Sequence, residues 1–266
     1  MPGRYPHITP RCFVNVPFRK LQQQLAQMIA SRLQPEIGLE GDTLYTATEA
    51  EFREVAEALA AAGLGCTLHA PFFDLAPGAL DQQILAASRT KLRKAFELIP
   101  VFRPASIVCH LNYEANKHGY KEEAWFANSL ATWQELLRGA AAHGVPLMLE
   151  NTYEFGPERH QRMLTALDST MARFCFDAGH SLAFAKGRWQ DWFPAMTPWL
   201  GQLHLHDNHG ERDEHLAPGQ GGFDFPGFFA FLHENRLNPL VTLEPHSEAG
   251  VWESLASLER LGLWET

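Results

Sequence analysis

Eight short apolar runs recur along the chain, each followed by a longer stretch of helical periodicity, and most of them end in a side chain that binds metals. The runs are RCFVNV (11–16), PEIGLEG (35–41), CTLHAP (66–71), SIVCHLN (106–112), VPLMLEN (145–151), RFCFDAGH (173–180), GQLHLHDN (201–208) and LVTLEP (240–245). Their length and their flanking Pro and Gly residues mark them as strands. Helical stretches fall at 18–42, 46–62, 80–99, 119–143, 157–167, 187–199, 226–236 and 250–262. The first overlaps the second strand, so its helix is expected to end near Leu33, before Pro35. Thr46-x-x-Glu49 reads as a capping box, and Ala-rich 55–62 before Gly63 as a helix ending. A strand–helix unit repeated eight times in about 250 residues predicts an α/β chain folded as a (β/α)8 barrel, with its site at the C-terminal rim.

Parity within the runs supports this. Alternate residues of a strand share a face. One parity holds Ile107, Cys109, Leu111, Val145, Leu147, Leu149, Phe174, Phe176, Leu203, Leu205, Val241 and Leu243, all apolar, as a face packed on helices requires. The other carries His110, Glu150, Asp177, His204 and Glu244 near the C-terminal ends. Five strands thus aim chelating groups at one side.

The 266 residues suit one domain (1–266, with the barrel proper at about 11–262), and no linker composition divides them. No apolar run reaches bilayer length and the first residues do not read as a leader, so a soluble, cytoplasmic protein is expected. Cys12, Cys66, Cys109 and Cys175 all fall within strands and are expected to be buried thiols. Acidic residues outnumber basic ones, 31 to 22, for a net charge of −9 with no Lys/Arg run. That balance argues against nucleic acid and for a small-molecule substrate, although three bound divalent ions would bring the sum to about −3. An oligomer remains compatible.

Imidazole and carboxylate donors together suit Zn²⁺, Mn²⁺ or Fe²⁺ better than Mg²⁺ or Ca²⁺. One to three ions are expected, with Zn or Mn foremost. Glu150, Asp177, His204 and Glu244 come from successive strands and can close around one ion. His69 and His110 can hold a second that shares Glu150. Asp177-x-x-His180 and Asp213-x-His215 leave His180, Asp213 and His215 for a third. Four carboxylates gathered at one rim without cations would cost several kcal/mol each, which favours the metal reading over scattered polar residues. His206 shares parity with His204 and is its rival as ligand, or else supports the ligands from behind. Glu40, Asn112, Asn151, Asp207 and Asn208 are expected to touch substrate or to orient ligands.

The order HAP, CHLN, LEN, D-x-x-H, HLHDN, DEHLAPGQGGFDF (213–225) and LEPH resembles the xylose isomerase-like TIM-barrel superfamily, over roughly 11–262. That superfamily includes sugar isomerases and epimerases and the endonuclease IV type of apurinic-site nuclease, AP endonuclease family 2. The resemblance implies that Glu150, Asp177, His204 and Glu244 match the single metal site of its epimerases, with His180 a substrate-binding His. His69, His110, Asp213 and His215 match the additional ligands of the three-zinc nuclease branch.

Two chemistries follow. In a sugar or sugar-phosphate isomerase/epimerase, the expectation placed first, an ion acidifies the C–H beside a carbonyl while catalytic Glu150 and Glu244 exchange protons on opposite faces. No Lys stands beside a strand-end ligand to steer a hydride shift; Lys186 is a distant candidate. The alternative is a two- or three-ion hydrolase, endonuclease IV-like or similar to cobamide amidohydrolases that cleave a C–N bond. The full nine-residue set suits it, whereas segments 41–46 and 72–78 lack the Lys or Arg a DNA nuclease would use. A non-catalytic sugar-binding barrel is a minor third reading, since it would be expected to have lost a central ligand.

Overall fold

Each strand buries both faces, a demand met by a closed barrel wrapped in helices. The computed structural model, which describes residues 4–264, has β1 (Phe13–Pro17), β2 (Gln34–Gly38), β3 (Thr67–His69), β4 (Ile107–His110), β5 (Leu147–Glu150), β6 (Ala172–Asp177), β7 (Leu200–Leu205) and β8 (Leu240–Leu243). All are parallel and ordered as in the sequence, and β8 returns to β1 through Phe13 opposite Thr242 and Val14 opposite Leu243. The chain is a (β/α)8 TIM barrel.

The outward parity is as expected: Ile107, Cys109, Leu147, Leu149, Phe174, Phe176, Leu203, Leu205, Val241 and Leu243 lie in the main core beneath the helices. Inside the barrel sit a small apolar group, Val108, Met148 and Cys175, and a fully buried polar layer of Glu36, Thr67, Ser106, Gln202 and Thr242. Behind β6, Trp192 stacks on Phe174 at 5.9 Å and Phe193 meets Phe176 edge-on at 5.0 Å. Burying such rings contributes about 1.5–3 kcal/mol each and fixes the strand that carries Asp177.

Local boundaries differ from expectation where alternatives overlapped. The first helix, Phe18–Ala30, ends before Leu33. The capping box is formed by Thr48 and Glu51, not Thr46 and Glu49: Thr48 N–H donates to Glu51 at 2.8 Å and Glu51 N–H to the Thr48 hydroxyl at 3.3 Å. Thr46 instead ends a short helix, Thr43–Thr46. The strands also stop sooner than the apolar runs, because the chain turns away once its donors reach the rim. At Asp177 the turn is made by a carboxylate that accepts from His180 N–H at 2.6 Å and caps the helix Ala178–Ala183. All four cysteines are buried and free. Among the described residues no helix is long and apolar enough to cross a membrane.

Candidate metal centre

Glu150 ends β5 at the middle of the rim and is 1% exposed, with imidazoles around both its oxygens. His69 and His110, from the ends of β3 and β4, point Nε2 at its Oε2 from 3.1 and 3.3 Å. His180 and His204 bring Nδ1 to 3.2 and 3.5 Å from Oε1. His204 Nδ1 also lies 3.0 Å from Glu244 and 3.9 Å from Asp177, so the four central residues converge around one imidazole nitrogen. On the far side, Asp213 Oδ2 is 3.1 Å from His215 Nε2 and 3.4 Å from His180 Nε2. The nine residues singled out in the sequence therefore form one continuous cluster.

His206 belongs to it as well. Its Nε2 is 3.1 Å from Asp177 and its Nδ1 3.4 Å from Asp213, and its ring stacks on His215 at 3.9 Å. Both rings reach Asp177 Oδ2, His204 Nδ1 from 3.9 Å and His206 Nε2 from 3.1 Å, but they face different oxygens of Glu244, His204 Oε1 at 3.0 Å and His206 Oε2 at 3.8 Å. Gly179 makes this possible: a Cβ there would lie 2.0 Å from His206 Cε1.

Several rings are held in one orientation by a backbone carbonyl. Nδ1 of His69 faces Ala70 O at 2.9 Å, that of His180 faces Asn151 O at 2.9 Å, and that of His215 faces Glu244 O at 2.7 Å. Each arrangement leaves Nε2 free to ligate. Asn151 also clasps the Asp177 backbone, accepting from its N–H at 2.9 Å and donating to its carbonyl at 3.0 Å.

Within the cluster, carboxylates and imidazoles hold each other in their charged forms against burial. Burial alone would raise the Glu150 carboxyl, yet the His110 and His204 rings hold it well below the usual range. Glu244 is likewise lowered against burial, chiefly by His204. Burial opposes charge on His180 and His204 too, but the surrounding carboxylates hold both well above an ordinary imidazole. Asp213 is lowered, and His215 is raised to about 9 by Asp213 and Glu244. His110 goes the other way, because burial dominates there.

Glu150 Oε1, His204 Nδ1, His206 Nδ1 and Asp213 Oδ1 are buried and without hydrogen-bond partners. Such orphans cost about 1–3 kcal/mol each. All four point into the cluster, where the sets His69/His110/Glu150, His69/His204/Glu244, Asp177/His180/His206 and His206/Asp213/His215 each place donor atoms within 4.8 Å of one another. The residues present thus fit divalent transition ions in number, type and spacing. Cys175 lies within reach of Glu150 and His204 and would complete a further donor set with them; burial pushes its thiol up.

A family model described as a xylose isomerase-like TIM barrel matches residues 33–261. The chain belongs to this family. Among solved structures, this xylose isomerase-like chain is similar to a D-tagatose 3-epimerase-like protein, at 21% identity and a TM-score of 0.81 over 94% of this chain and 96% of that one. It is also similar to the TTHB071 protein of Thermus thermophilus soaked with ZnCl2, at 24% identity and a TM-score of 0.74 over 94% and 97%. The uncharacterized protein MJ1311 of Methanocaldococcus jannaschii is 26% identical over 191 residues, 66% of this chain and 63% of that protein. MJ1614 of the same organism is 28% identical over 184 residues, 68% and 71% respectively.

The other residues picked out in the sequence divide between those that hold backbone and those that line the pocket. Asp207 and Asn208 are fully buried and hold backbone rather than facing the pocket. Asp207 accepts from Gly219, Gly221 and Phe223 N–H at 3.0, 2.8 and 3.1 Å, and so folds 209–225 over the rim with Asp213 and His215 in place. Asn208 donates to Gly179 O at 2.9 Å. Glu40 lies beyond the end of β2 and, with Asn112, lines the pocket. Sequence reasoning missed Glu36, which lies one layer below the cluster with Oε1 3.1 Å from His204 Nε2. It also missed Phe73, Ile84 and Tyr153, which stand at the mouth of the pocket and are 62, 51 and 44% exposed.

Proposed function

We propose that this protein is a metal-dependent hydrolase with a two- or three-ion centre, cleaving an amide, phosphate ester or phosphodiester in a substrate that has a bulky apolar face. The observation that carries the reading is that imidazoles face both Glu150 oxygens while Oε1 has no hydrogen-bond partner. With His69 and His110 on Oε2 and His180 and His204 on Oε1, Glu150 is arranged to bridge two positions rather than to shuttle a proton. An epimerase also has no use for His206, Asp213 and His215 clustered around a further position.

His69, His110 and Glu150 would hold one ion, Glu150, Asp177, His204 and Glu244 a second, and His180, Asp213 and His215, joined by His206, a third. Bound there, transition ions supply Lewis acidity to an attacking water and to the oxyanion that develops. The chain's own contribution is to keep imidazole lone pairs aimed inward through the carbonyl contacts of His69, His180 and His215. Segment 209–225 folds over the rim on the third side and brings Asp213 and His215 to the cluster.

The cavity above the cluster measures about 1070 Å³ and is open to solvent. Phe72 and Phe184 line it beside His110 and His180, and the exposed Phe73, Leu80, Ile84 and Tyr153 line it as well. Its charged wall residues away from the cluster are Lys20 and Lys117 against Glu40, Asp74, Asp81 and Glu114. This lining favours a neutral or weakly charged molecule larger than a single sugar and disfavours a nucleic-acid backbone. The test is a hydrolysis screen of amides and phosphoesters carrying aromatic or polycyclic groups, with Zn²⁺, Mn²⁺ or Co²⁺. Release of product that is lost on chelation is expected.

A sugar epimerase is the second reading, favoured by the convergence of Glu150 and Glu244 on His204 and by the names of fold relatives such as the D-tagatose 3-epimerase-like protein. Solvent deuterium entering C3 of a ketose, with no hydrolysis in the screen, would select it.

A further inference from the structure

His204 breaks the pattern of the carbonyl-oriented rings. His69, His180 and His215 turn Nδ1 to a backbone carbonyl, whereas His204 turns Nδ1 into the cluster and Nε2 down the barrel axis. Inside a closed barrel the strand carbonyls are used by neighbouring strands, so only a side chain can meet that nitrogen. Glu36 does so from β2 at 3.1 Å, nearer than the Gln202 amide nitrogen, which lies 3.4 Å from the same His204 Nε2 and donates to Glu36 at the shorter distance of 2.7 Å.

Its position is over-determined. Oε1 accepts from Asn15 Nδ2 at 3.1 Å and faces His204 Nε2 at 3.1 Å. Oε2 accepts from Thr67 at 2.9 Å, Gln202 at 2.7 Å and Thr242 at 3.0 Å. Donors from β1, β3, β7 and β8 thus clamp a carboxylate that is fully buried, and Asn15 Nδ2 also lies 3.4 Å from Glu244 Oε1. Gln202 is itself fixed by accepting from Ser106 across the barrel at 2.6 Å. With every neighbour donating, Glu36 acts toward His204 only as an acceptor.

We infer that Glu36 is a positioning residue which keeps the proton of His204 on Nε2 and so presents Nδ1 as the central metal donor. The inference rests on the proposed metal centre. The negative charge behind the ring also makes Nδ1 a stronger ligand. Glu36 touches neither substrate nor metal; its effect reaches the site through one imidazole.

The experiment titrates metal-free wild-type protein, E36Q, Glu36→Leu and Thr242→Val with Zn²⁺ against a chelator, records the Co²⁺ absorption spectrum, and reads the His204 tautomer of the Zn-loaded protein by imidazole ¹⁵N NMR. Loss of an orienting carboxylate costs about 10–100-fold in metal affinity. E36Q, which keeps an acceptor but no charge, is expected near the low end, and Glu36→Leu near the high end with an altered Co²⁺ spectrum. Thr242, the cross-strand partner of His204, donates only to Glu36 Oε2, so Thr242→Val removes a donor from the same network and leaves the Glu36 Oε1–His204 contact in place; it is expected to lower thermal stability and leave affinity and the Nε2–H tautomer intact. Wild-type affinity and tautomer in E36Q, or equal losses in Thr242→Val and the Glu36 variants, would overturn the inference while leaving the metal centre standing. Failure of the wild type to bind Zn²⁺ or Co²⁺ would overturn both.

Discussion

Glu150→Gln keeps the size of the side chain but removes the charge and one of two acceptor oxygens. Because Oε2 faces His69 and His110 while Oε1 faces His180 and His204, this substitution should disable two ion positions at once. An ion present at 100 times its dissociation constant stabilises the folded state by about 2.7 kcal/mol. Two lost ions correspond to about 5 kcal/mol, and at about 2–4 °C per kcal/mol for a chain of this size the metal-induced rise in Tm should shrink by roughly 10–20 °C. The assay compares melts of wild type and variant with and without Zn²⁺, beside metal content by elemental analysis. The Asp213→Ala, His215→Ala double variant, which spares Glu150, should lose about one ion per chain and about half that shift. If Glu150→Gln retained the full Zn²⁺-dependent rise and full metal content, Glu150 would not be a shared ligand and the multi-ion reasoning would fail.

Metal affinity should rise with pH, because His180, His204 and His215 are held above the ordinary imidazole value and must each give up a proton to ligate. Chelator competition from pH 6 to about 9 should show tighter binding at each step, and calorimetry in buffers of different ionisation enthalpy should show proton release; pH-independent binding would contradict the pKa shifts. Stability of the metal-free protein has the opposite basic limb: the contribution of His215, raised to about 9, is complete below its unfolded pKa and lost as pH rises through about 9. The lowered Glu150, Asp213 and Glu244 contribute above the usual carboxylate range and lose that contribution as pH falls through their folded pKa values, so urea midpoints should decline at both ends. Gly179→Ala drives a Cβ into His206 and should displace it from Asp177 and Asp213, lowering metal content by about one ion while the barrel's circular dichroism is retained. Phe73→Ala with Ile84→Ala should raise KM for a bulky apolar substrate about tenfold or more with little change in kcat, since these side chains meet the distal part of the molecule; an unchanged KM would remove them from recognition.

The barrel and most of its rim were legible because strand parity is a local property: apolar residues at Leu147, Leu149, Phe174 and Phe176 oblige Glu150 and Asp177 to face inward. Glu36 escaped that logic. It shares parity with Glu40, and which acid lies inside depended on where β2 ends, at Gly38 rather than 41. The capping box slipped for a similar reason, since Thr46 and Thr48 each have a Glu three residues on and the short helix Thr43–Thr46 occupies the first. Asp207 lay in a rim-like position of its run, but its task is set by Gly219, Gly221 and Phe223, whose N–H groups arrive through a fold of 209–225 that no local pattern encodes. Parity places both His204 and His206 inward, but the room that His206 occupies is left by the missing Cβ of Gly179, which no strand pattern signals.

The most direct test of a multi-ion hydrolytic centre is anomalous diffraction at the zinc edge from crystals of protein loaded with Zn²⁺. Three peaks per chain are expected, one among His69, His110 and Glu150, one among Glu150, Asp177, His204 and Glu244, and one among His180, Asp213 and His215 with His206 alongside. A single peak at the central four, with Glu150 bound through one oxygen and His69 and His110 free, would contradict the multi-ion centre and leave the epimerase reading in its place.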